Sequence, residues 1–205
     1  MPRVHEHTMR RSTARRGQQL FVELCLRRLP PGRILNVGSG FTTVASPSQY
    51  LFDIDLDPSV LQGNKGRSMA GDAANLPFRS DTFDGAIVKD VLEHVPDPVA
   101  VLSELARVAQ SEARIIVTVP RAIPRAVWAD PTHLRGFTKQ SICWALEMGG
   151  WLVDGRIDRV GSIPGAGHVP ILLEHSHQIL RLPGLGHLLG LNWMAVARQR
   201  SPHGG

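Results

Sequence analysis

Apolar positions recur along the chain in short blocks, and the spacing inside the blocks alternates between a helical and an extended period. Leu20, Phe21, Leu24 and Leu29 share a helical face with Cys25, which predicts a leading helix that Pro30-Pro31 ends. Residues 33–37 then form a short apolar strand running into Gly38-Ser39-Gly40, and residues 50–54 a second strand ending in Asp53-Ile54-Asp55-Leu56-Asp57-Pro58. Residues 67–70 and 83–88 supply a third and a fourth. Asp97-Pro98 opens a helix as N-cap and first helical residue, with Val101, Leu102, Leu105 and Val108 on its apolar face. The fifth strand, 115–119, is almost wholly β-branched, as suits a central parallel strand covered on both faces. Thr138 caps a helix that turns Ile142, Ala145 and Leu146 inward and stops at Gly149-Gly150. Residues 151–160 and 192–198 read as the last two strands.

Strands alternating with helices predict an α/β domain with a largely parallel sheet. In such a sheet ligands bind beyond the C-terminal strand ends, where the strand order reverses. The first of these ends is Val37-Gly38-Ser39-Gly40, whose glycines allow close approach to the backbone and whose N–H groups suit an anionic group. A G-x-G is common to many turns. Asp55, some ~17 residues beyond Gly38, adds weight, since an acidic side chain at that separation can accept from both hydroxyls of a ribose. Asp53, Asp55 and Asp57 also read simply as turn caps before Pro58. Thr43 stands where the dinucleotide fingerprint needs a third glycine, which argues against NAD.

Composition narrows the class. Hydrophobic residues make up 42% and charged residues 20% of 205, the make-up of one globular domain. No apolar stretch has the length of a membrane span, and no signal-like apolar segment follows the N-terminal arginines. Cys25 and Cys143 lie far apart in apolar runs and read as buried hydrophobes, so a reducing cytoplasm is the expected compartment. Residues 1–16 carry +4 of the +5 net charge. They are expected to form a basic flexible tail beside a single domain over 17–205, and the near-neutral remainder argues against a nucleic-acid partner.

The run Gly71-Asp72-Ala73-Ala74-Asn75-Leu76-Pro77-Phe78, then Phe83-Asp84, then Val91-Leu92-Glu93-His94-Val95-Pro96-Asp97-Pro98 resembles class I S-adenosylmethionine-dependent methyltransferases. The family meant is the large one that includes ubiquinone-biosynthesis C-methylases and many natural-product and sugar methylases. The likeness continues through Leu105-Ala106-Arg107-Val108 and again over residues 130–138, covering roughly residues 33–160. It implies a Rossmann-like fold with a mostly parallel seven-stranded sheet and helices on both faces. It also implies S-adenosyl-L-methionine as cofactor and S-adenosyl-L-homocysteine as product. Residue by residue, it places Val37, Gly38, Ser39 and Gly40 at the methionine end, Asp55 on the ribose and Leu56 on the adenine. Asp72 would accept from the adenine amine, the Ala73 N–H would face a ring nitrogen, and the Lys89 carbonyl would meet the ammonium. Three departures stand out: Asn36 replaces the usual acid, Phe41-Thr42-Thr43 replaces the third glycine, and residues 41–50 are too few for the usual helix and its turns.

A hydroxyl acceptor must lose a proton, which suits a histidine. His133, after the fifth strand, is the first candidate, with loop anchoring through Asp130 as its structural alternative. His94 is the second, with helix-turn packing as its alternative. No Asp/Asn-Pro-Pro-Tyr run follows the fourth strand, where Lys89-Asp90-Val91-Leu92 stands, so base amine methylation is disfavoured. His168, Glu174, His175, His177 and His187 cluster in 161–190, but the surrounding pattern is helical while H-x-H suits a strand, so no metal is assigned. That segment reads as an insertion serving as a lid or as a homodimer contact. The expected function is O- or N-methylation of a small-molecule or sugar acceptor in secondary metabolism or envelope biosynthesis. The alternatives are a non-catalytic scaffold of the same fold, an RNA methyltransferase and an NAD-dependent oxidoreductase.

Overall fold

The computed structural model describes residues 21–40, 46–63, 67–128, 130–160 and 191–200. The basic tail, the 161–190 insertion with its histidines, and Thr42 and Thr43 lie outside the described residues. Six strands run in the order β1 (Gly32–Val37), β2 (Gln49–Asp55), β3 (Ser68–Ala70), β4 (Phe83–Lys89), β5 (Ala109–Pro120) and β6 (Trp151–Val153). β7 (Asp158–Val160) and β8 (Asn192–Gln199) complete the sheet. The helices are α1, described over residues 21–26, α2 (Pro98–Val108), α3 (Pro124–Val127) and α4 (Lys139–Met148). The sheet order is β3-β2-β1-β4-β5-β8-β6, with β7 also on β8. β1 to β5 are parallel and β8 is antiparallel to β5. The order reverses between β1 and β4, so the crevice beyond their C-terminal ends is where a ligand can settle between loops.

Alternate strand residues feed two cores. Leu35, Val37, Ala86, Val88, Ile115 and Val117 pack with α2 and α4, whereas Ile34, Ile87 and Ile116 pack with Val22, Cys25 and Leu26 of α1. Helices therefore cover both faces, as expected. The face of α1 differs from the pattern reading: Val22, Cys25, Leu26 and Leu29 are buried, Leu24 is half-buried, and the helix gives way to a turn after residue 26. Leu20 lies outside the described residues. Burial pushes the Cys25 thiol up to about 12, so it behaves as a small hydrophobe, while Cys143 is half-buried.

Seven strands were expected and eight are present among the described residues. Residues 151–160 do not run as one strand, because β6 and β7 pair with the two halves of β8 in registers that differ by two residues. Gly155, at φ +86°, breaks the edge strand between them. The extra strand is thus one interrupted edge element. β5 is longer than its apolar centre suggested and reaches back past Glu112, whose φ is +68°.

Caps fix the helices where the residues indicate. The Asp97 carboxylate accepts from Val99 N at 2.9 Å and Ala100 N at 3.1 Å, and Val101, Leu102, Leu105 and Val108 are all buried. Thr138 and Ser141 form a reciprocal capping box on α4. Asp97→Ala is expected to cost about 1 kcal/mol of unfolding free energy, and Asp97→Asn only a few tenths, because asparagine keeps the acceptor. Urea unfolding checks this, and equal midpoints for wild type and Asp97→Ala would contradict the cap. Among the described residues, no helix is long and apolar enough to cross a membrane.

Candidate functional site

The loop after β1 carries two left-handed glycines, Gly38 at φ +63° and Gly40 at φ +54°. A Cβ on Gly38 would stand 2.4 Å from Val91 Cγ2, so the tight approach of this loop to the end of β4 requires glycine there. A Cβ on Gly40 would meet nothing within 4 Å, which leaves that side open. Gly38 N and Ser39 N both donate to Ile54 O, and Gly40 N donates to the Asp55 carboxylate at 2.9 Å. Asp55 also accepts from Asp57 N at 3.0 Å. A carboxylate offers about four lone-pair sites, so these two bonds hold the Asp55 side chain against the glycine loop and leave acceptor capacity.

Beside it Leu56 is 77% exposed, an apolar surface at the mouth of the crevice. The exposed Asp72 carboxylate accepts from Ala74 N at 2.9 Å, and Gly71 N donates to Asp55 O, which fixes the Asp72-Ala73 turn on the neighbouring strand end. The Ser39 hydroxyl is buried with no partner among the described residues. Asn36 turns away from this loop: its amide donates to Asp53, 2.7 Å away on the paired strand, and both side chains are buried. Burial pushes Asp53 up to about 6, against the opposing pull of that hydrogen bond.

The second half of the site is built by the turn after β4 and the loop after α3. Glu93 is buried, and burial, followed by the charge of Asp90, pushes its carboxyl up to about 8. Its Oε2 has no hydrogen-bond partner among the described residues. Leu134 N donates to Glu93 O and Arg135 donates to Pro96 O, which pins the 130–135 loop onto the turn. His94 and His133 are thereby brought edge to face, with ring centroids 4.7 Å apart. His133 Nδ1 is 2.7 Å from Val127 O, a carbonyl that can only accept, so Nδ1 carries the proton and Nε2 the lone pair of the neutral ring. That Nε2 lies 3.9 Å from Glu93 Oε1.

The same accounting applies to His94. Thr132 Oγ1 donates its one hydrogen to Asp130 at 2.6 Å, so it accepts from His94 Nδ1 at 3.0 Å. The Thr132 side-chain and backbone hydrogen bonds hold Asp130 below the usual carboxylate range. The His133 ring is therefore anchored by the Val127 carbonyl rather than the Asp130 carboxylate, which Thr132 takes, while the His133 backbone N–H donates to the Asp130 carbonyl at 3.3 Å.

Two residues of this site escaped the sequence. Asp90 has φ +52°, and its carboxylate accepts from Thr118 Oγ1 and Asn192 Nδ2, each at 2.8 Å, and from the Lys89 ammonium. Burial opposes its charge, yet the Lys89 charge and these hydrogen bonds outweigh it and hold Asp90 below the usual range. Glu93 stood out only as one member of the run from Val91 to Pro98. The signal available for both was their place at the end of the fourth strand, where loops line the crevice.

Residues 35–117 match the methyltransferase domain family. The solved structure of an S-adenosylmethionine-dependent methyltransferase from Methanosarcina mazei superposes with a TM-score of 0.63 at 16% identity, over 86% of this chain and 97% of that one. Residues 35–117 thus carry the likeness to methyltransferase domains, and the chain has the fold of solved S-adenosylmethionine-dependent methyltransferases. Among curated relatives of this family, a demethylmenaquinone methyltransferase from Streptomyces avermitilis is 33% identical over 97 residues, 43% of this chain and 42% of that protein. The matched region thus spans about two-fifths of the length of such relatives. A [4+2]-cyclase shares the fold at a TM-score of 0.58 and 19% identity, over 88% of this chain and 80% of that one. S-adenosylmethionine is the family's cofactor, and the open side of Gly40, the orphaned Ser39 hydroxyl and the exposed Leu56 fit a ligand with polar and apolar parts.

Proposed function

We propose that this chain transfers the methyl group of S-adenosylmethionine to an oxygen or nitrogen of a small-molecule or glycan-like acceptor. Natural-product or envelope biosynthesis in the cytoplasm is the setting this reading carries. When bound, the cofactor supplies a methyl group on a sulfonium and leaves as S-adenosylhomocysteine. Val37, Gly38, Ser39 and Gly40 hold its methionine end, with the Lys89 carbonyl as acceptor for the ammonium. Asp55 takes the ribose hydroxyls, Leu56 covers the adenine, and Asp72 with the Ala73 N–H meets its polar edge.

The cyclase neighbour is a reminder that fold alone does not decide chemistry. The observation that carries the catalytic reading is the meeting of Glu93, His94 and His133 at the end of β4, two residues beyond the Val91 that packs on Gly38. An acceptor hydroxyl gives its proton to this cluster, with His133 Nε2 as the first recipient, since Val127 fixes that nitrogen as the lone-pair side. His94 stands behind it as the second. The test is turnover on a panel of sugars, phenols and demethylated quinones, followed by release of S-adenosylhomocysteine. Methylation of a sugar or phenol is the expected result, and methylation of a quinone ring carbon alone would contradict the O- or N-acceptor reading.

A further inference from the structure

We infer that Glu93, His94 and His133 form a binding site for one divalent cation of the zinc or cobalt type, with coordination positions left open toward the crevice. One ligand atom from each of the three residues lies within 4.8 Å of the others. A bound ion with ligands at about 2.1 Å sets neighbouring ligand atoms about 3 to 3.5 Å apart. Small side-chain movements close the observed 3.9 Å between Glu93 Oε1 and His133 Nε2 to that range.

Three independent features point to a cation rather than to packing. Both imidazoles commit Nδ1 to an outer oxygen, Val127 O for His133 and Thr132 for His94, which leaves Nε2 as the lone-pair nitrogen of each neutral ring. This is the arrangement in which metal-ligating histidines are held, with the second nitrogen fixed by a carbonyl or a hydroxyl–carboxylate chain such as Thr132–Asp130. Secondly, Glu93 is buried with 1% of its side chain exposed, and one of its oxygens has no partner among the described residues, which is costly unless something cationic or donating meets it. Thirdly, the donor set of two imidazoles and one carboxylate suits a borderline divalent ion and not magnesium or calcium, which prefer oxygen ligands. Three protein ligands leave room for a water or an acceptor hydroxyl, whose proton the ion makes easier to lose. With the ion bound that proton leaves to solvent, because a ligating His133 Nε2 has no lone pair left; proton transfer to His133 belongs to the cation-free chain. The acceptor class implied is an alcohol or phenol that ligates through oxygen. This consequence rests on the proposed methyl transfer, whereas the cation site itself does not.

The test uses the full chain, dialysed against a chelator and titrated with Co2+ and then Zn2+, with neither cofactor nor acceptor present. The expected result is one Co2+ per chain with visible ligand-field absorption, displaced by Zn2+. Glu93→Gln, nearly isosteric, is expected to weaken Co2+ binding at least ~10-fold and Thr132→Val by about 10- to 100-fold through loss of the outer hydrogen bond. His175→Ala combined with His177→Ala is expected to leave binding unchanged. Absence of stoichiometric Co2+ binding overturns the proposal, as does wild-type affinity in a Glu93→Gln protein with an unchanged melting temperature. Co2+ binding that disappears in the His175/His177 double variant overturns it as well. A parallel titration with S-adenosylhomocysteine separates the two claims: Co2+ binding without nucleoside binding leaves the cation site standing and removes the methyltransferase reading.

Discussion

His133→Ala is expected to lower turnover at least ~100-fold, the lower end of what a positioned general base contributes. Affinity for S-adenosylhomocysteine is expected to stay within about threefold, well under one decade of binding constant. The separation of effects follows from position. His133 sits in the loop pinned to Glu93 and Pro96, while the glycine loop and Asp55 are held by their own bonds to each other. His94→Ala is expected to lose less activity and more stability, because its ring ties the 130–133 loop through Thr132 and packs on His133. Single-turnover kinetics on both variants, beside thermal melts, provide the check. Near-wild-type turnover in His133→Ala would remove the imidazole from the proton path and leave positioning as the source of rate.

Asp55→Ala is expected to weaken S-adenosylhomocysteine binding by about a hundredfold or more, since two hydrogen bonds to a charged acceptor are each worth about 1.5 to 3 kcal/mol. The loss has a second origin in the free protein, where the carboxylate also holds Gly40 N and Asp57 N. Asp55→Asn keeps an acceptor oxygen and is expected to fall between the two. The stabilisation of the folded chain by ligand follows the same order, as mass action requires of a ligand that binds only the native state. A full ligand-induced rise in melting temperature in Asp55→Ala would place the ribose elsewhere.

The strands and the two capped helices were legible because their signals are local. β5 shows itself through Ile115, Ile116, Val117 and Val119, and α2 and α4 through Asp97 and Thr138 ahead of apolar faces that the structure buries. The glycine loop and Asp55 were legible for a similar reason: a strand end, a tight turn and an acid at a fixed distance are all readable from order and spacing. What failed depends on register and long-range partners. The break between β6 and β7 arises where a two-residue slip against β8 meets Gly155, and pairing across forty residues leaves no local mark. Asp90 draws its partners from Thr118 and Asn192 on two other strands, and its left-handed backbone carries no signature in residue type. The face of α1 was misplaced by about one residue, since Phe21 and Leu24 are as apolar as the Val22 and Leu26 that the sheet in fact covers.

The central claim is that the crevice between β1 and β4 holds S-adenosylmethionine. Its most direct test is calorimetric titration of the full chain with S-adenosylmethionine, S-adenosylhomocysteine and NAD in turn. Saturable one-to-one binding of the first two, with no heat from NAD, is the predicted result. Binding of NAD alone, or of none of the three to a chain that melts cooperatively, would contradict it.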